Sequence, residues 1–271
     1  MKKVVFAAAL AAMMSSAFAA TDVTPKILDL PVKQGGMKIV NKFQAVGGLK
    51  GWVLQGGGQN SVIYTSADGK YIFAGALVDE AGKNLTEEYI AKYAPKPELN
   101  KLYSRLESSA YFVEGAKGSA VKATIYAFLD PNCVFCHLAW KAFQPYEKAG
   151  LQVRWVPVGF LKPDSLPKAA ALLESSDPGA AMANHEKTFE PATETGGIQP
   201  VEKISPETAK KLQANAQLMN EFGFGGTPAI VYKDKNGKVS VKPGMPRLSD
   251  LPEMTGIAEQ PQTDPELARF R

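Results

Sequence analysis

The spacing of hydrophobic positions changes several times along the chain, and each change marks a different element. Val4 to Met14 is an apolar run behind Lys2 and Lys3, followed by Ala17-Phe18-Ala19. A positive start, a short apolar stretch and a small-x-small site predict a cleavable secretory signal over 1–19, and the run is short for a membrane span. From Lys38 to Val78 the pattern is strand-like. Ser61–Thr65 and Tyr71–Val78 are β-rich, and Asp68-Gly69 between them suits a hairpin turn. Residues 20–83 therefore read as a small sheet domain, with glycines at 47, 48, 51 and 56–58 punctuating its first half.

Residues 84–110 turn helical and read as a linker between domains. Thr86 can cap a first piece through Tyr93, Pro95 and Pro97 interrupt it, and Leu99, Leu102 and Leu106 share one face of a second piece. Ala123–Leu129 is a near-continuous apolar run, as in a strand covered on both faces. Asp130-Pro131-Asn132 ends it, Cys133–Lys148 is helical in composition, and Leu151–Val158 is strand-like again. Strand, helix, strand at this spacing is a βαβ unit with a parallel pair. A helical insert follows over about 163–222, with Ser205-Pro206 as a helix start and Gly223 as a stop. Ala229–Tyr232 and Lys238–Val241 then form a hairpin around Asn236-Gly237. The second domain spans 111–250. Residues 251–271 are rich in proline and acids and read as a loosely held tail.

Composition narrows the class. The 271 residues are 45% hydrophobic and 21% charged, enough apolar side chain for two cores. Disorder and small disulfide scaffolds are excluded on that ground. The net charge is +4 with no long basic run, so no nucleic-acid partner is expected. A secreted chain enters an oxidising compartment, where a disulfide can persist.

The two cysteines of the chain both lie in Cys133-Val134-Phe135-Cys136. The pair sits where a buried strand gives way to a helix. Residues i and i+3 of a helix lie about 5–6 Å apart, which suits a disulfide. The first cysteine stands among free backbone N–H groups at the positive end of the helix dipole, so its thiolate is favoured. Cys133 is then the exposed nucleophile and Cys136 the resolving thiol. Other chemistries use the same residues. A purely structural bond would close a ring too small to stabilise much, and inert free thiols do not suit an oxidising compartment. Zinc needs four ligands, and His137 and His185 are the only histidines. Cys133 to His137 also spells CxxCH, the attachment string of c-type haem, although here it follows an apolar strand inside a βαβ pattern.

The second chemical feature is Gly225-Gly226-Thr227-Pro228-Ala229, a proline at the start of a strand. Together, the βαβ unit, CxxC at a helix start, a helical insert and Thr-Pro-Ala before a hairpin resemble the thioredoxin fold. With Gly47-Gly48-Leu49-Lys50-Gly51-Trp52 and Asp130-Pro131-Asn132-Cys133, the mature chain from about Val32 to Leu248 is similar to the periplasmic DsbC/DsbG disulfide isomerase family.

That resemblance implies an α/β thioredoxin-like catalytic domain with a helical insert, joined by a linker helix to a small α+β N-terminal domain that makes a V-shaped homodimer. It implies Cys133 as nucleophile, Cys136 as resolving cysteine, and Thr227 and cis-Pro228 against the redox pair, where Thr227 pairs with an extended client. It implies periplasmic clients with disulfides or oxidised cysteines, chaperone-like client binding, a membrane thiol reductase of the DsbD type, and no cofactor or metal. Val134-Phe135 departs from the Pro-Tyr dipeptide of DsbG relatives, a change that bears on redox poise. A DsbA-like oxidase and a haem electron carrier are the competing readings.

Overall fold

The computed structural model describes residues 24–57 and 59–271, so the signal expected over 1–19 lies outside the described residues. Strands β1 (Lys38–Gln44), β2 (Lys50–Gly56), β3 (Gln59–Thr65) and β4 (Ile72–Ala74) form an antiparallel sheet in that order. Helix α1 (Leu85–Tyr93) covers it, its Tyr89, Ile90 and Tyr93 packing on Phe43, Val53, Val62 and Tyr64. The rings of Phe43 and Tyr93 stack at 4.2 Å. Gly51 makes room for this, since a Cβ there would come within 2.3 Å of the Phe43 ring.

Two expectations change in this region. The strand expected through Val78 ends at Ala74, because Gly75 takes a φ of 144° and turns the chain. The cap of α1 is Asn84 rather than Thr86. The Asn84 side chain accepts from the Thr86 and Glu87 N–H groups, and the Thr86 hydroxyl instead meets the Tyr64 hydroxyl at 2.6 Å.

The expected linker helix is two helices. After α1 the chain leaves helix at Ala94, which is extended, passes Pro95 and Pro97 outside helix, and re-enters helix at α2 (Leu99–Glu107). Leu102 and Leu106 bury against the second domain with Leu99 partly buried beside them, the face that their spacing predicts, and Tyr103 joins them.

The second domain is built on a five-stranded sheet ordered β5-β7-β6-β8-β9. Its elements are β5 (Phe112–Gly115), β6 (Ala123–Leu129), α3 (Val134–Lys148), β7 (Leu151–Pro157), α4 (Ser165–Glu174), α5 (Pro178–Lys187), α6 (Pro206–Glu221), β8 (Ala229–Lys233), β9 (Val239–Pro243) and α7 (Leu251–Thr255). Strands β6 and β7 are parallel, and the other pairs are antiparallel. Strand β6 is central and divides two cores. Ile125, Ala127 and Leu129 join α3 and α7 on one face, and Tyr126 and Phe128 join α2 and α6 on the other. This two-sided burial accounts for the continuous apolar run.

The insert expected over about 163–222 holds three helices, with residues 188–205 outside helix. One further expectation changes. The tail is not loose. Leu251, Met254, Ile257 and Leu267 are buried in the main core, with α7 packing on β6 and β8 and residues 265–270 on α3.

Candidate functional site

The site forms where β6 ends. Asp130 is almost fully buried, and its carboxylate is saturated with donors. One oxygen accepts from Asn132 N at 2.9 Å and Ser165 Oγ at 2.7 Å, and the other from the N–H groups of Phe160 and Leu161 at 2.7 and 3.0 Å. Asn132 donates to Asp164 and Ser165, while its amide oxygen accepts from Lys168 Nζ at 2.8 Å. Lys168 is 4% exposed and pairs with Asp164 at 2.8 Å. A buried charge is tolerated only when paired and hydrogen-bonded in this way.

Pro131, between them, is held from α5. His185 Nε2 lies 2.7 Å from the Pro131 carbonyl oxygen, and its Nδ1 accepts from Ile198 N at 3.2 Å. The acceptor role of Nδ1 places the proton on Nε2 and makes the ring neutral. Burial holds the His185 pKa below its ordinary value. Gly196 packs on this ring, and a Cβ there would fall 2.5 Å from the His185 carbonyl oxygen and 2.6 Å from Nδ1. The loop before the cysteines is therefore fixed from both α4 and α5.

Cys133, expected to be exposed, is buried at 5% exposure; it is the N-cap of α3, and its sulfur accepts from Cys136 N at 3.2 Å. Both cysteines are free thiols. Cys133 Sγ also lies 3.3 Å from the Thr227 carbonyl oxygen. The Thr227–Pro228 bond is cis. The four residues expected to act together, Cys133, Cys136, Thr227 and Pro228, thus converge from the start of α3 and the start of β8. The Cys136 thiol and the helix N–H groups hold the Cys133 pKa below that of an ordinary thiol, against the opposing effect of burial. Burial first, and the neighbouring sulfur second, push Cys136 well above it. The Thr227 hydroxyl is buried with no partner within hydrogen-bond range, beside both sulfurs. The two thiols are therefore held in opposite senses, one toward thiolate and the other protonated.

His137, expected as a polar helix residue beside the cysteines, is buried at 4% exposure. Its Nδ1 meets Glu186 Oε2 at 2.7 Å, its Nε2 lies 3.9 Å from Glu266, and its ring stacks on Phe189 at 4.6 Å. An axial haem ligand needs a ring nitrogen facing open space, which this imidazole lacks.

Sequence reading passed over Asp130, Ser165, Lys168, Glu186 and the bracing role of His185. Their signal was faint: an acid in the turn after an apolar strand, and an Asp164/Lys168 pair at i,i+4. The partners are joined across 30 to 54 residues of chain, beyond the reach of local pattern.

Residues 33–87 match the family described as the disulfide bond isomerase protein N-terminal domain, and residues 113–253 match the thioredoxin-like domain family. The thiol:disulfide interchange protein DsbG of Pseudomonas aeruginosa is 33% identical over 226 residues, covering 83% of this chain and 86% of that protein. The protein of the same name from Escherichia coli is 32% identical over 231 residues, covering 83% and 90%. Among solved structures, Helicobacter pylori DsbG aligns over 77% of this chain and 98% of its own at 16% identity, with a TM-score of 0.39. With a dithiol at the head of a thioredoxin-like domain, an isomerase-type domain before it and these relatives along most of its length, the chain belongs to the DsbC/DsbG family of thiol:disulfide interchange proteins.

Proposed function

We propose that the chain is a periplasmic thiol:disulfide oxidoreductase and isomerase, with Cys133 as nucleophile, Cys136 as resolving cysteine and Thr227-Pro228 as the client-contacting edge. The observation that carries this reading is the opposed pair of thiols. The Cys133 sulfur caps α3 by accepting from Cys136 N at 3.2 Å and favours thiolate, while the buried Cys136 stays a thiol.

The Cys133 thiolate attacks one sulfur of a client disulfide. A Cys133–client bond forms, the client S–S bond breaks, and the other client sulfur leaves as thiolate. Cys136 then gives up its proton and attacks Cys133 Sγ, expelling the remaining client thiolate. The two cysteines end as a disulfide, and the client gains two electrons. In isomerisation a client thiolate displaces Cys133 instead, with no net transfer. A sulfenylated client loses hydroxide to the same attack. The extended client segment pairs with the Thr227 backbone, as in strand addition.

Export is supported by Lys2, Lys3, the apolar run and Ala17-Phe18-Ala19. The N-terminal unit, about residues 20–83, serves as the dimerisation domain of a homodimer, a reading supported by its match to the isomerase N-terminal family. Clients are periplasmic proteins with disulfides or oxidised cysteines, and a membrane thiol reductase of the DsbD type restores the dithiol.

The test is the redox state of the pair in living cells. The periplasm is acid-quenched, free thiols are alkylated, and the intact mature protein is weighed. Two adducts are expected. An unmodified disulfide would overturn the isomerase and reductase reading in favour of an oxidase or a structural bond.

A further inference from the structure

Residues 257–271 run back along α3 toward the cysteines, attached at successive points. The Gln260 N–H donates to the Tyr146 hydroxyl at 3.4 Å, and the Gln262 amide donates to the Ala142 carbonyl oxygen at 2.8 Å. Lys141 pairs with Asp264 at 2.8 Å and also with Glu266, which lies beside His137. Leu267 is 1% exposed in the main core. Arg269 then lies over Phe135, its guanidinium carbon 5.9 Å from the ring centroid, and over Phe270 at 5.0 Å. The contacts on α3 step from 146 to 142, 141, 137 and 135. The segment therefore delivers Arg269 to the dipeptide between the cysteines.

An open groove of about 430 Å³ lies there. Val134 and Leu138 of α3 line it with Pro191 of the 188–205 loop and with Glu266, Ala268 and Arg269. Val134 follows Cys133 directly, so the groove starts beside the nucleophile. Phe135 is 45% exposed at the same place. The charges of the segment are unequal in their use. Asp264 and Glu266 are paired with Lys141, whereas Arg269 touches aromatic rings and makes no ion pair among the described residues. A guanidinium already oriented by an aromatic face, with its N–H edge free, is suited to a carboxylate.

We propose that Arg269 is a specificity-determining residue, and that the groove receives client segments carrying an acidic residue close to the oxidised cysteine. An apolar client side chain seats on Val134 and Leu138 while the neighbouring carboxylate meets Arg269. This rests on the thiol-exchange role given above and names the substrate class of that same site. An exposed pair of this kind corresponds to a rate preference of about two- to fivefold, and salt weakens it.

The experiment uses the reduced full-length protein and peptides that each hold one mixed disulfide to a neutral aromatic thiol, with Asp, Asn or Lys two residues from the cysteine. Second-order rate constants for release of the aromatic thiol are compared. The expected order is Asp, Asn, Lys. Arg269→Glu reverses it, and Arg269→Lys preserves it. Reduction of all three peptides with the same order in wild type and Arg269→Glu, or with no order in wild type, overturns the assignment of Arg269. Failure to reduce any peptide overturns the thiol-exchange reading itself, and this inference with it.

Discussion

His185 Nε2 donates to the Pro131 carbonyl oxygen at 2.7 Å, across 54 residues of chain. This one bond ties α5 to the turn that aims Cys133. Only the neutral ring fits, because a proton on Nδ1 would oppose the Ile198 N–H that it now accepts. The folded pKa lies below the ordinary 6.5, so this contribution is present above about pH 6.5 and is lost as pH falls through the folded value. His185→Ala removes a buried donor partner and leaves a cavity, and should cost about 2–4 kcal/mol at pH 7.5. Urea unfolding at pH 5 and pH 7.5 checks both points. The gap between wild type and His185→Ala should narrow at the lower pH.

The two sulfurs should part company toward an alkylating reagent. In the reduced protein Cys133 should react with a midpoint below the ordinary thiol value, because the Cys136 thiol and the helix N–H groups favour its thiolate. Cys136 should stay unmodified in the same range, since burial holds it protonated. Peptide mapping after timed alkylation separates them. Cys136→Ser should accumulate mixed disulfides with clients, and Cys133→Ser should accumulate none.

The Thr227 hydroxyl lacks a hydrogen-bond partner while buried beside both thiols. It gains an acceptor when Cys133 ionises, and its presence favours that ionisation. Thr227→Val keeps the shape and removes the donor. The expected result is a higher Cys133 pKa and slower alkylation at pH 7, with the melting temperature little changed. An unaltered pH–rate profile would show that the hydroxyl is not felt by the sulfur.

Behind α3, Glu114 and Glu147 are held unusually basic, near 7 and near 8, by burial first. The Trp140 indole N–H donates to Glu114 at 3.1 Å, and Glu147 keeps one buried oxygen without a partner. Both acids bind protons more tightly folded than unfolded. Their presence therefore lowers stability as pH rises from about 4.5 through 7 to 8. Glu147→Gln should raise stability at pH 8 by an amount on the order of 1–2 kcal/mol and leave it nearly unchanged at pH 4.5. Chemical unfolding at the two pH values measures this directly.

Elements with a periodic apolar pattern were legible in the sequence. Ala123–Leu129, the Cys133 helix start, Ser205-Pro206 and the Asn236-Gly237 hairpin stand where their residue types place them. The four residues expected around the sulfurs also meet. Strand β5 was hidden because it has four residues and turns Glu114 inward. The 257–271 segment was hidden because its buried side chains are single residues between prolines and acids, held by partners on a distant helix. The Asp130–Asn132–Lys168 network escaped for a related reason. Polar residues in sequence read as surface, and only tertiary contacts show that these are saturated and enclosed.

The break in helix between Tyr93 and Leu99 decides how the two units can vary in arrangement. Had the connection been one unbroken helix, each inserted residue would turn the catalytic unit by about 100° and advance it by only 1.5 Å. Here α1 ends at Tyr93 and α2 starts at Leu99, so no single helix axis couples insertion to rotation in this way. A residue gained or lost between Tyr93 and Leu99 therefore changes the separation of the two units without a fixed turn of about 100° of the unit that carries the sulfurs.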